Sequence, residues 1–242
     1  MKTIGLIGGM SWESTQTYYR LINQAVREQL GGLHSARIIL YSLDFAEIEL
    51  HQRRGEWGLA ADILIAAARS LEKAGADFVL ICTNTMHKVA PDVEAAIGVP
   101  LLHIMDATAA AIASDGLKCV GLLGTRFTME QSFCSERLEA KGLRVLVPGA
   151  AQRERIHQVI FEELCQGVTS HQARSDFLAI IDDLVGQGAQ AVILGCTEIG
   201  LLIGPQDTSA RLYDTTEVHV DQAVKLALAT DPVSVSLPTF SS

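Results

Sequence analysis

The chain has 242 residues, 48% of them apolar, with 20 glycines and 6 prolines, which excludes disordered, collagen-like and coiled-coil chains and leaves one large domain or two small ones. Its 19 basic side chains face 28 acidic ones for a net charge of −9, with no basic run, so a nucleic-acid backbone and an anionic membrane surface are excluded as partners.

The chain opens with Met1-Lys2 and an apolar run to Met10. This imitates a signal peptide but passes into Ser11-Trp12-Glu13 without a small-residue cleavage site, and it reads as a first strand. Further strands are expected at 37–42, 78–82, 100–103, 119–123, 144–147 and 191–194, after the first at 3–7. Helices are expected at 14–30, 56–74, 89–97, 107–114, 129–140, 153–164, 172–187 and 217–229. Short glycine-bounded apolar runs alternating with amphipathic stretches give an α/β class with parallel sheets. The longest apolar run, 63–68, is far below the roughly 18 to 20 residues that span a bilayer, so no transmembrane helix is expected. Pro232 and Pro238 argue against helix in the tail 230–242. The five cysteines, Cys82, Cys119, Cys134, Cys165 and Cys196, form no Cys-x-x-Cys pair, which fits a reduced, cytoplasmic protein without a disulfide framework or zinc knuckle.

An internal repeat carries more information. Gly75 to Thr85 aligns without a gap on Gly188 to Glu198, an offset of 113, and Ile4 to Gly9 aligns on Val120 to Thr125, an offset of 116. Two βα halves of similar plan follow, and Thr83 is matched to Cys196. Chemistry in open α/β sheets collects beyond the carboxyl ends of strands. Four segments end there: Gly8-Gly9-Met10-Ser11, Thr83-Asn84-Thr85, Gly124-Thr125-Arg126-Phe127-Thr128 and Gly195-Cys196-Thr197-Glu198. Their glycines allow close backbone approach and their hydroxyls and amides suit a small carboxylate between the halves.

Dinucleotide, Walker, zinc-protease and nucleophile-elbow motifs are all missing. Cys196 sits where a strand hands over to a helix, a place that lowers a thiol's pKa, although a lone cysteine is also commonly inert core. Cys119, Cys134 and Cys165 read as fillers, and Cys82 points to the face opposite Thr83. Arg53 and Arg54 lie in a polar break before a helix and either clamp a distal carboxylate or make a solvated turn. His87 and His103, after strand ends, read as packed histidines before acids. Asp106 and Asp214 suit caps or braces.

Gly8-Gly9-Met10-Ser11-Trp12-Glu13-Ser14, Thr83-Asn84-Thr85-Met86-His87 and Gly195-Cys196-Thr197-Glu198 resemble the aspartate/glutamate racemase family over about residues 2–229. Gly31 to Ala36, Gln52 to Trp57 and Ile160 to Leu164 resemble its enterobacterial amino-acid racemase branch. The resemblance implies two pseudo-symmetric α/β domains, residues 1–104 with 213–242 and residues 105–212, racemisation without a cofactor or metal in the interdomain cleft, and a homodimer. The chemistry agrees with physical need, because inverting an α-carbon takes one acid/base group on each face and donors that stabilise the carbanion. Cys196 and Thr83 are the expected acid/base pair. Met10, Ser11, Asn84, Thr85, Thr125, Thr128 and Thr197 are the expected carboxylate and amino-group cradle, with Gln52 and Arg53 on the substrate side and Arg53 as distal clamp. Two departures stand out: Thr83 replaces the first thiol of a Cys-Asn-Thr motif, and Cys165 stands where aspartate-preferring relatives carry a lysine. Aspartate and glutamate are the expected substrates. A racemase of neutral polar amino acids such as homoserine, and a catalytically silent amino-acid-binding protein, are the alternatives.

Overall fold

A computed structural model describes residues 1–229, so the expectation for the tail 230–242 lies outside the described residues. The first half holds β1 (Ile4–Gly8), α1 (Trp12–Leu30), β2 (Ile38–Ser42), α2 (Phe45–Arg54), α3 (Trp57–Lys73), β3 (Phe78–Ile81), a 3-10 turn at Thr85–Val89 and α4 (Ala90–Ala96). The second holds α5 (Ile104–Ser114), β4 (Cys119–Gly124), α6 (Arg126–Glu130), α7 (Ser132–Glu139), β5 (Arg144–Leu146), α8 (Ala150–Glu162), a 3-10 turn at Leu164–Gln166, α9 (His171–Gly186), β6 (Ala191–Gly195), α10 (Ile199–Leu202) and β7 (Arg211–Asp214). Among the described residues α11 (Thr215–Leu228) comes last.

All strand pairs are parallel, in a three-stranded sheet ordered β2-β1-β3 and a four-stranded sheet ordered β5-β4-β6-β7. The central strands are apolar and wholly or nearly wholly buried, as two covered faces require, whereas the edge strands β2, β5 and β7 are partly exposed. Helix α1 starts on Ser11, whose hydroxyl accepts from the Ser14 N–H, and turns Tyr18, Ile22 and Val26 inward at spacings of one helical turn. Those side chains and Val220, Ala223, Val224 and Ala227 of α11 pack on Ile4, Leu6, Phe78 and Leu80, while α3 and α4 cover the opposite face of the same sheet. Each fully buried aliphatic or aromatic side chain there contributes roughly 1.5 to 3 kcal/mol. The second sheet is covered by α5 and α7 on one face and α8 and α9 on the other.

The repeat is visible in the strand register. Ile4 pairs with Phe78 and Ile7 with Ile81 in the first sheet, and Val120 pairs with Ala191 and Leu123 with Leu194 in the second. Shifting the first two pairs by 116 and 113 gives the second two, so the segments after β3 and β6 leave equivalent places in equivalent sheets.

Several expected elements differ. Residues 100–103 form a single bridge, Val79 to Leu101, because His103 already caps α5 by accepting from the Met105 N–H. The polar stretch read as a break ends helix α2, which Asp44 caps and Gly55 terminates at φ 71°. The helix expected at 129–140 is split at Gln131, which is extended at φ −92° and ψ 145°. Strand β7 and helix α10 are additions to the expected elements, being four residues each without clear periodicity. Strand β7 extends the second sheet across the expected domain boundary at 212/213.

Candidate active site

The four expected loops converge. A cavity open to solvent lies between the carboxyl ends of the two sheets, and Met10, Ser11, Thr83, Asn84, Thr85, Thr125, Cys196 and Thr197 line it together with Gln52 from α2. Close strand ends make the convergence possible. A Cβ on Gly195 would sit 2.7 Å from the Leu123 carbonyl oxygen, and Gly9 adopts φ +90° at the turn out of β1.

Hydrogen bonds tie the loops of one sheet to those of the other. Ser11 Oγ donates to Glu198 Oε1 at 3.1 Å, and Thr85 Oγ1 lies 3.3 Å from Thr125 Oγ1. Ser14 Oγ donates to the Cys82 carbonyl at 2.8 Å, which commits its single proton, so the 2.9 Å contact with Thr197 has Thr197 Oγ1 as donor. The lone pairs of Thr197 remain for an incoming donor. Asn84 Nδ2 donates to Thr215 Oγ1 at 3.1 Å, and that hydroxyl donates to the Leu194 carbonyl at 2.9 Å. Asn84 Oδ1 is buried without a partner, in a residue that lines the cavity, and it offers an acceptor to an ammonium group.

Cys196 Sγ donates to Glu198 Oε2 at 2.9 Å. The expected lowering of its pKa is corrected by the structure: the thiol is pushed well above its ordinary value, first by burial and then by the negative charge of Glu198. The helix after it, α10, is a single turn, too short to supply a strong dipole, and Glu198 occupies its start. Cys196 is therefore held as a thiol beside a carboxylate that can take its proton. Burial also pushes the Cys165 thiol up, to about 12.

Two expected cradle residues are elsewhere. Arg53, at the end of α2, is absent from the lining; its side chain is 69% exposed and pairs with Glu49 at 3.7 Å, because helical continuation through 54 turns it to solvent. Thr128 is fully buried behind the loop, 3.2 Å from Thr125 Oγ1, with its methyl against Gly124 and Gly195. Cys82 is buried in the first core, and Cys134 in the second. Cys165, read as a filler, lines the cavity. Glu198 and Ser14 stood inside the quoted motifs without being singled out as site residues. Phe45, Ile160 and Phe161 also line the cavity. They come from helix starts and faces distant from strand ends; Ile160 and Phe161 stand in a segment quoted for the resemblance, and Phe45 does not. Among the lining residues Glu198 is the sole charged acid, and none is arginine, lysine or histidine. Among the described residues no His, Cys, Asp or Glu group is arranged to hold a metal ion, and no helix is long and apolar enough to cross a membrane.

Residues 7–223 match the Asp/Glu/Hydantoin racemase family. The chain belongs to this racemase family. It is thereby an isomerase. A candidate Asp/Glu racemase of known structure from Yersinia pestis is 55% identical, with a TM-score of 0.90 over 95% of this chain and 100% of that one. PH1733, an aspartate racemase homologue from Pyrococcus horikoshii OT3, is 38% identical, with a TM-score of 0.83 over 94% of this racemase chain and 99% of its own. The broad specificity amino-acid racemase RacX of Bacillus subtilis (strain 168) is 25% identical over 69% of this chain and 71% of its own length.

Proposed function

We propose that the chain racemises amino acids with uncharged side chains without a cofactor, Cys196 working on one face of the α-carbon and Thr83 on the other. The observation that carries this reading is the cavity in which these two residues meet, with Glu198 as its sole charged acid and no cation. Thr83 and Cys196 leave equivalent strand ends, so a planar carbanion between them is reached from opposite sides. Aspartate and glutamate would bring a second carboxylate to a site with no basic partner, an unpaired charge whose partial burial costs several kcal/mol. Phe45, Ile160 and Phe161 offer an apolar wall to a side chain instead. Kinship with a broad-specificity racemase supports the same direction.

In one direction Cys196 passes its thiol proton to Glu198, and the thiolate takes the α-hydrogen. The electron pair left on the α-carbon spreads into the substrate carboxylate, which the loop hydroxyls stabilise. Thr83, directly or through a water at its hydroxyl, delivers a proton to the opposite face. Loss of the Glu198 proton to solvent and reprotonation at Thr83 complete the exchange. A threonine hydroxyl is a poor acid and base near neutrality, so its face is the slow one. The same reading takes the chain as two α/β units, the second sheet running through β7 to Asp214, and as a cytoplasmic protein whose homodimeric state sedimentation tests.

Single enantiomers of methionine, homoserine, aspartate and glutamate incubated in deuterated water test the reading. Inversion with α-deuterium uptake, greater for methionine and homoserine, is expected. Greater turnover of aspartate and glutamate would overturn the substrate assignment. Heat stabilisation by an amino acid with no deuterium uptake would instead identify a binding protein.

A further inference from the structure

A buried imidazole that the mechanism does not use lies directly behind Thr83. His87 is 1% exposed, and both ring nitrogens are committed to backbone: Nδ1 is 2.8 Å from the Thr83 carbonyl oxygen, and Nε2 accepts from the Ile104 N–H at 3.2 Å. A carbonyl can only accept, so Nδ1 carries the proton and Nε2 does not. The tautomer and the ring orientation are thereby set. Ile104 opens α5, the first helix after the chain leaves the first sheet. A second imidazole, His103, packs on His87 with ring centroids 4.5 Å apart, and His219 lies beyond at 5.9 Å. Burial and the neighbouring imidazoles push His87 well below its ordinary pKa, which keeps it in the neutral state that both contacts need.

The Thr83 carbonyl is the backbone of the residue placed on the slow face of the substrate. The hydrogen bonds of the His87 ring go to Thr83 and Ile104, whereas Cys196 is held by Glu198 on the loop after β6. We propose that His87 is the positioning residue of the Thr83 face: its Nδ1–H, in a ring whose tautomer is set by the Ile104 N–H, holds the Thr83 carbonyl and so sets the distance of the Thr83 hydroxyl from the α-carbon, independently of Cys196. This rests on the racemase reading above and assigns to one of its two faces a control of its own. A displacement of a reacting group by about 1 Å can cost on the order of a hundredfold in rate, so loss of the anchor is felt on one face only.

Two polar variants separate the two hydrogen bonds of the ring. His87→Asn keeps an N–H near the position of Nδ1, toward Thr83; His87→Gln places its amide near Nε2, toward Ile104. The readout is α-deuterium uptake by each enantiomer of methionine, with the Cys196 face defined as the enantiomer whose uptake Cys196→Ser removes. His87→Gln is expected to lower uptake on the Thr83 face relative to the Cys196 face by about tenfold or more, and His87→Asn to hold that ratio within about threefold of the wild type. His87→Leu, lacking both bonds, should lower the ratio at least as far as His87→Gln; if it fails to fold, the Asn and Gln pair decides alone. Equal losses on both faces, an unchanged ratio in His87→Gln, or a greater loss in His87→Asn than in His87→Gln would overturn the proposal. Absence of uptake by any enantiomer in the wild-type protein would overturn the racemase reading itself, a separate outcome.

Discussion

Cys196 Sγ and Glu198 Oε2 are 2.9 Å apart, thiol donating to carboxylate, two residues along one loop. Removing the carboxylate's charge has two separable effects. Glu198→Gln loses the proton acceptor, and kcat is expected to fall by about a hundredfold with KM little changed. The same change lifts a charge that holds the thiol pKa up, so the Cys196 pKa falls and alkylation by iodoacetamide at pH 8 becomes faster than in the wild type. An unchanged alkylation rate in the variant would show that Glu198 does not control the thiol.

Arg53→Ala is expected to leave kcat/KM within about twofold for acidic and neutral substrates alike, since an exposed i,i+4 pair with Glu49 contributes only about 0.3 to 0.5 kcal/mol. A selective rise in KM for aspartate would return Arg53 to the substrate site.

Thr83→Cys places a second thiol at the position equivalent to Cys196. Inversion relative to α-deuterium exchange is expected to rise, with faster turnover of the enantiomer whose hydrogen faces residue 83. Both directions must still meet an equilibrium near unity between enantiomers, so kcat/KM stays matched in the two directions while kcat and KM individually differ. An unchanged exchange-to-inversion ratio would break the pairing of Thr83 with Cys196.

Buried histidines make stability depend on pH. Burial lowers His103 to about 3 and His219 to about 4, and places His87 well below its ordinary value, against roughly 6.5 in the unfolded chain. The unfolded chain thus binds more protons below pH 6.5. The stability is fully present above that value and is lost as pH falls toward the folded-state values, by about 2 kcal/mol per histidine between pH 7 and pH 5. Asp214 acts with opposite sign, its pKa raised by burial to about 6, and restores about 1 kcal/mol over the same window. Urea midpoints should therefore fall from pH 7 to pH 5. His219→Gln should flatten that fall; an unchanged slope would mean that His219 is protonated in the folded state.

The convergence of the four loops was legible because a strand end followed by Gly, Ser, Thr or Asn is a local pattern, and because the repeat put Thr83 and Cys196 in register. Arg53 was misplaced for a local reason too: its polar neighbours look like a turn, and only the cap at Asp44 and the left-handed Gly55 show a helix there. Glu198 was in view, yet its control of Cys196 depends on where one side chain rotates. Phe45 reaches the cavity through tertiary packing, which leaves no periodicity to read, whereas Phe161 and Cys165 were marked by the family resemblance and not by their local pattern.

The chain crosses between its sheets twice, once near Leu102 and again where β7 passes into α11. His219, on α11, lies 2.8 Å from the Leu102 carbonyl through Nε2, and its Nδ1 is 2.8 Å from the Tyr18 hydroxyl of α1. The carbonyl accepts, so Nε2 carries the proton and Tyr18 donates to Nδ1. The two crossings are thus bonded to one another through a single imidazole, and the sheets are joined a second time, beyond their strand ends, by the Ser11 to Glu198 and Thr85 to Thr125 contacts.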